Sequence, residues 1–280
     1  MAEVSDQEDV GDDPTDDLEL ATLIAQEAGQ LLLELRQDFC QRDGDDKQNR
    51  TELRADADRL SHELIVSRLS EARPGDAILS EEGVDISDRD TADRVWIVDP
   101  LDGTWEYGQG RDDFAVHIAL WQRGSDAPDL LPVGIVDLPS QGFTRTTGDA
   151  VRALAIPTRR PVRIVTSRTR PPANLKDALP ALSKAIVDEG INPYGIEIRT
   201  VGSVGAKVSE LLAGRAEAYL HDSGFYEWDV AAPLAVAQHY GFVAEHIDGS
   251  AITFNHRPTW VTDLLVCHPQ LAPILRSIAA

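Results

Sequence analysis

The stretch Trp96-Ile97-Val98-Asp99-Pro100-Leu101-Asp102-Gly103-Thr104 carries the reading of this chain. Val95 to Val98 is a short apolar run of the kind that forms a buried strand, and it ends in two carboxylates, Asp99 and Asp102. Pro100 fixes φ and Gly103 permits a tight backbone, so the two aspartates straddle a turn. The Leu101 carbonyl between them can face the same way. Hard oxygen donors of this kind suit Mg²⁺, which takes carboxylates, waters and substrate phosphate. By itself the segment reads more readily as an Asp-Pro turn with a capping aspartate.

The flanks change that balance. Ala77-Ile78-Leu79 is another apolar run, ending in Ser80-Glu81-Glu82, so Glu81 could supply a third carboxylate. Both acidic groups stand where a buried strand ends, a place where ligands collect in α/β proteins. Trp228-Asp229 opens a long apolar helix predicted over Trp228 to Tyr240, and a helix start can aim Asp229 into a cleft. Taken alone, Asp229 reads as an N-cap. Asp58 lies in an early helical region. Such like charges, if buried together, need cations to neutralise them.

The rest of the chain mixes both element types. Ala21, Ile24, Ala28, Leu32 and Leu35 give one apolar face to a helix over about Asp17 to Asp38. A polar loop at Arg42 to Asn49 and a second helix starting near Asp56, with Leu60, Leu64 and Leu69, come next. Phe114 to Trp121 and Val133 to Val136 read as strands. After a loop at Ala150 to Pro161 come a strand at Arg163 to Thr166, a helix at Val204 to Leu212, and strands at Ala218 to Leu220 and Phe242 to Ala244. The expected fold class is α+β, mixed α/β. The expected organisation is a disordered acidic tail (1–16), an N-terminal domain (17–157) with most metal ligands, and a C-terminal domain (158–280) with Asp229.

Composition narrows the function classes. The chain has 280 residues, 42 % hydrophobic and 26 % charged, as expected for a globular protein with a sizeable core. No apolar run approaches the ~20 residues of a membrane helix, and Met1 to Asp17 lacks the pattern of a secretion signal. Cys40 and Cys267 are too few for a disulfide scaffold. These features point to the cytoplasm. A net charge of −22 argues against nucleic-acid polymers and anionic membranes as partners. A small anionic substrate stays open, because a metal ion reverses the local field.

Three segments together carry a family resemblance: Leu79-Ser80-Glu81-Glu82, Trp96 to Thr104, and Trp228-Asp229-Val230-Ala231-Ala232-Pro233. With them the chain resembles the inositol monophosphatase superfamily of Mg²⁺-dependent, lithium-sensitive phosphatases, from about Leu18 to Ile278. The resemblance implies a layered α-β-α-β-α sandwich. It implies two or three magnesium ions held by Glu81, Asp99, the Leu101 carbonyl, Asp102 and Asp229. Glu81, Thr104 and Asp58 would serve the attacking water, with Asp56 as the alternative partner of Thr104, because the chain reads Ala55-Asp56-Ala57-Asp58 where relatives show Thr-x-x-Asp. One ion would activate that water and another would neutralise the leaving oxygen.

Gly110 to Leu120, Thr166 to Pro172, Gly202 to Lys207 and Glu227 further resemble the actinobacterial CysQ branch. That branch converts 3′-phosphoadenosine 5′-phosphate to AMP in sulfur assimilation. Inositol-1-phosphate, fructose-1,6-bisphosphate and histidinol-phosphate are the competing substrates, and a non-catalytic regulatory protein on the same fold is the competing class. Implied substrate contacts are Leu101, Asp102, Gly103, Thr104, Ser167, Arg168, Arg170, Ser203, Lys207 and Asp229. Arg168, Arg170 and Lys207 are the candidates for a second phosphate, with backbone N–H groups near Gly202-Ser203. Trp105-Glu106-Tyr107 would wall the site, and His117 reads as a core or supporting histidine. His221 and Asp222 lie near the substrate without an assigned role. The resemblance also allows a homodimer.

Overall fold

The computed structural model describes residues 14–40, 47–85, 88–124 and 130–279. Helices α1 (Pro14–Cys40) and α2 (Lys47–Ala72) come first. They are followed by β1 (Ala77–Ser80), β2 (Arg94–Asp102), the short α3 (Thr104–Gly108), β3 (Ala115–Gln122), β4 (Leu130–Leu138) and β5 (Phe143–Thr146). These strands form one sheet in the order β1-β2-β3-β4-β5, with β1 parallel to β2 and the rest antiparallel.

The remaining elements are β6 (Val162–Ser167), α4 (Leu175–Asp188), β7 (Ile196–Val201), α5 (Val204–Leu212), β8 (Ala218–His221), β9 (Phe225–Tyr226), α6 (Glu227–His239), β10 (Val243–Glu245), β11 (Trp260–Val261), β12 (Leu264–Cys267) and α7 (Ala272–Leu275). The second sheet runs β10-β12-β8-β6-β7, and β9 pairs with β11 in a small ribbon.

Strand periodicity builds the layers, because alternate residues face opposite sides. Trp96, Val98, Val116, Ile118, Val133 and Ile135 pack on α1 and α2. Val95, Ile97, Ala115, Ala119, Val136 and Leu138 face the other way and meet α5 and α6 through Val208, Leu211, Val230 and Leu234. On the second sheet Val165, Tyr219 and Val266 join that same central core, while Ile164, Leu220, Leu265 and Cys267 pack on α4 and α7. The result is the expected α-β-α-β-α sandwich, and the fold class is mixed α and β.

Some boundaries differ from expectation. Helix α2 starts at Lys47 rather than near Asp56. Its buried stripe is Leu53, Ala57, Ser61, Ile65 and Leu69, every fourth residue, whereas Leu60 and Leu64 are half-buried. Ahead of Ala57 the helix buries only Leu53, so its first turns carry little apolar signal. Of the loop expected at 42–49, residues 42–46 lie outside the described residues and 47–49 open the helix. The expected tail, up to residue 13, also lies outside them. Strands β5, β7 and β12 and helices α4 and α7 are not among the elements expected from the sequence.

Candidate active site

Strand β2 pairs with β3 in register up to Asp99 opposite His117, then loses register before Asp102 opposite Ala115. Pro100 lacks the N–H a ladder needs, and Ser61 on α2 donates to its carbonyl at 2.8 Å. The Leu101 N–H returns to Asp99 Oδ1 at 3.0 Å. Gly103 has φ 87°, and a Cβ there would stand 2.9 Å from the Ser203 Cβ. A residue with a side chain would meet both a strained backbone and a clash.

The turn brings its carboxylates to the start of α6. Asp99, Asp102 and Asp229 each offer an oxygen, all within 4.8 Å of one another. Asp102 Oδ2 accepts the Gly205 N–H at 2.6 Å, and Asp229 Oδ2 accepts the Tyr226 N–H at 2.7 Å. The N-cap of α6 is therefore Tyr226 rather than Asp229, which is the third helical residue, caps the Tyr226 N–H from there and is a member of the cluster at once. Burial, then the charges of Glu81, Asp102 and Asp229, push the Asp99 carboxyl well above the usual range. Burial and Asp102 raise Asp229 to about 7, against the pull of the Tyr226 N–H, Arg170 and Lys207. Glu81 is raised to about 7 by burial and the Asp229 charge. Its side chain reaches solvent, and Glu81 is not one of the three carboxylates whose oxygens lie within 4.8 Å of one another. An all-oxygen, like-charged cluster without nitrogen or sulfur donors fits a hard divalent cation.

Thr104 Oγ1 lies 3.2 Å from Asp58 Oδ1 and 3.1 Å from the Leu101 carbonyl. Asp58 shares a helical face with Ser61 and with His62, whose Nδ1 is 2.8 Å from Ser80 Oγ. Asp56 points away and pairs with Arg59 at 3.2 Å. Of the two aspartates, Asp58 meets Thr104. Burial and the charge of Glu82 raise it to about 7.

A cleft of about 330 Å³ opens beside the cluster, lined by Asp102, Gly103, Thr104, Asp229 and the residues expected at the substrate. A larger cavity, about 660 Å³, lies elsewhere around Arg152, Leu211 and Tyr240, away from any carboxylate cluster found among the described residues. Chemistry favours the smaller one.

Within the cleft the expected contacts behave differently. Arg168 is spoken for, at 3.2 Å from Glu106 and 2.7 Å from Asp113. Arg170 lines the cleft and shows no ion pair with a carboxylate among the described residues. Ser167 Oγ accepts the Arg170 N–H at 3.1 Å. Ser203 caps α5 by accepting the Ala206 N–H at 3.0 Å. The Gly202 N–H goes to Asp113 at 3.0 Å, so it is not waiting for an anion. Lys207 is buried, donates to the Gly202 carbonyl and stands 5.2 Å over the Tyr219 ring. Burial lowers it to about 8 despite nearby Asp102 and Glu106.

Trp105 and Glu106 line the cleft, but Tyr107 turns inward and donates to the Leu32 carbonyl at 2.8 Å. His117 is fully buried behind the cluster, 3.4 Å from Asp102 Oδ2. His221 lines the cleft, and burial with Lys207 and Arg170 pushes it down to about 3. Asp222 is exposed and accepts the Ala173 N–H. Sequence reasoning missed the bracket that Glu106 and Asp113 make around Arg168, and the Gly205 N–H on Asp102.

A family model described as "Inositol monophosphatase family" matches residues 13–279. The chain belongs to that family. A relative from Mycobacterium tuberculosis, named 3′-phosphoadenosine 5′-phosphate phosphatase, is 41 % identical over 252 residues, 89 % of this chain and 88 % of its own length. One of the same name from Mycobacterium leprae is 40 % identical over 269 residues, 94 % and 93 % of the two chains. The crystal structure of CysQ from Bacteroides thetaiotaomicron superposes with a TM-score of 0.69 and 24 % identity, covering 90 % of this chain and 96 % of that one. That likeness shows the shared fold. The protein is thus an inositol monophosphatase-family phosphatase, acting on small phosphorylated substrates. No helix among the described residues is long and apolar enough to cross a membrane.

Proposed function

We propose that this enzyme hydrolyses 3′-phosphoadenosine 5′-phosphate to AMP and phosphate, with two or three Mg²⁺ ions and with sensitivity to lithium. The observation that carries the reading is one cleft whose lining holds charges of both signs, Asp102 and Asp229 together with Lys207 and Arg170. A substrate with two separate phosphates fits such a cleft. The names of relatives at 40–41 % identity support the same substrate.

Glu81, Asp99, the Leu101 carbonyl, Asp102 and Asp229 would hold the ions. Bound magnesium supplies positive charge to phosphate oxygens and makes water more acidic. The chain's own groups do the rest. Thr104 Oγ1 orients the water, and Asp58, 3.2 Å away, takes its proton. Arg170 and Lys207 receive the second phosphate, while Arg168 holds Glu106 and Asp113 in place. Retention of the Thr104–Asp58 pair speaks against a non-catalytic regulator.

The −22 charge speaks against nucleic-acid and anionic-membrane partners, and the enzyme is placed in the cytoplasm. A homodimer, and a division into units 17–157 and 158–280, complete the proposal. The test is kcat/KM for 3′-phosphoadenosine 5′-phosphate, inositol-1-phosphate, fructose-1,6-bisphosphate and histidinol-phosphate, with and without lithium. The nucleotide should lead and lithium should inhibit. Preference for another of the four, or full activity in high lithium, would overturn this reading.

A further inference from the structure

Glu81 and Asp229 reach the site from segments about 150 residues apart in the chain. Each segment carries one buried charged residue that serves no reacting atom. Arg89 follows Glu81 by eight residues and is 0 % exposed. Glu227 precedes Asp229 by two and is also buried.

Both grip the same short turn. The Arg89 guanidinium donates to Asp85 through Nε at 3.0 Å and Nη2 at 3.0 Å. Nη1 donates to Asn255 Oδ1 at 2.7 Å, and Nη2 donates also to the His256 carbonyl at 2.8 Å. Asn255 Nδ2 returns to the Arg89 carbonyl at 3.0 Å. From the other side, the Glu227 carboxylate accepts the Asn255 N–H at 2.6 Å and the His256 N–H at 2.7 Å. The Glu227 N–H donates to Thr259 at 2.9 Å. Asn255 is held at φ 66°, a left-handed conformation that is uncommon outside glycine.

We propose that Arg89 and Glu227 clasp the Asn255-His256 turn so as to fix Glu81 against Asp229, and thereby set the affinity of the carboxylate cluster for its divalent cation. Arg89 and Glu227 are positioning residues. The proposal rests on the metal reading above. Burying a guanidinium and a carboxylate is expensive, and a planar fork bonded through all three of its nitrogens resists small displacements. Magnesium demands near-ideal octahedral geometry, so slack between Glu81 and Asp229 weakens binding first. Groups that orient ligands typically change metal affinity by about 10- to 100-fold when altered.

The test is calorimetric titration of metal-stripped protein with Mg²⁺, alongside its melting temperature. Arg89→Lys keeps the charge and loses the fork; Glu227→Gln keeps the shape and loses the charge. Each should weaken magnesium binding by about tenfold, with the double variant weaker by less than the product of the two. Saturating magnesium should restore kcat in both. Asp17→Asn, which breaks a buried ion network at the opposite end of β2, serves as a control that lowers the melting temperature while leaving the magnesium Kd unchanged. If Arg89→Lys fails to fold, Glu227→Gln decides. Variants that melt lower but keep the wild-type Kd would overturn the clasp. Wild-type protein that binds no magnesium would overturn the metal reading, and the clasp with it.

Discussion

Thr104 Oγ1 stands 3.2 Å from Asp58 Oδ1, joining the first residue of α3 to the middle of α2 across the mouth of the carboxylate cluster. In the proposed reaction this hydroxyl relays a proton from water to the carboxylate. Asp58→Asn should lower kcat by roughly 10²- to 10⁴-fold, the range for a lost general base. Thr104→Ala should fall in the same range and Thr104→Ser should recover most of it. Steady-state kinetics at saturating magnesium would check this. Near-wild-type turnover in Asp58→Asn would remove Asp58 from the chemistry.

The cluster also sets a pH dependence for the metal-free protein. Folding raises Asp58, Glu81 and Asp229 to about 7 from ordinary carboxylate values. The folded chain therefore binds protons that the unfolded chain releases. Stability from these groups is fully present below about pH 4 and is lost as pH rises through about 7. In chelator, the melting temperature should fall between about pH 5 and about pH 8. Saturating magnesium should flatten that trend. A metal-free melting temperature that rises across the window would contradict the crowding of these carboxyls.

At the far end of β2, Asp17 accepts from Arg73 at 2.7 Å and Arg94 at 2.7 Å. Arg94 also meets Asp76 at 2.9 Å, and Trp96 Nε1 donates to Asp76 at 2.8 Å. Asp17 is 1 % exposed, so Asp17→Asn leaves two arginines under-compensated. Unfolding by denaturant should show a loss of about 3 kcal/mol, with kcat per folded molecule unchanged.

Much of the candidate site was legible because its signals are local. Asp99 to Thr104 needs a proline, a glycine and a strand end, all adjacent in sequence. Helix α5 was read with its observed bounds because the cap, Ser203, immediately precedes it. What escaped depends on distant partners. Arg168 reads as a free phosphate ligand until Glu106 and Asp113, more than fifty residues earlier, are seen on it. Asp56 and Asp58 differ only in helical phase, and only the packing of α2 on β2 and α3 chooses between them. The first turns of α2 stayed hidden because Leu53 is the one buried residue ahead of Ala57 on that helix, too little apolar signal to show a period.

Arg170 and Arg168 should therefore separate on mutation. Arg170→Ala removes a cation from the cleft and should raise KM for 3′-phosphoadenosine 5′-phosphate by roughly 10- to 100-fold, as expected for a charged hydrogen bond. Its effect on inositol-1-phosphate should stay within about threefold. Arg168→Ala releases Glu106 and Asp113 and should lower activity toward both substrates. Equal losses on both substrates in Arg170→Ala would contradict its role at the second phosphate.

The most direct measurement is phosphate release from 3′-phosphoadenosine 5′-phosphate in magnesium by wild-type protein and Asp102→Asn, side by side. Asparagine can still accept the Gly205 N–H that Asp102 now accepts at 2.6 Å, so the fold should survive while one charge of the cluster is lost. The expected result is magnesium-dependent turnover in the wild type and none in a variant with an unchanged circular dichroism spectrum. Near-full turnover in Asp102→Asn, or no magnesium-dependent release by the wild type, would contradict the assignment of the Asp99-to-Thr104 turn as the catalytic metal site.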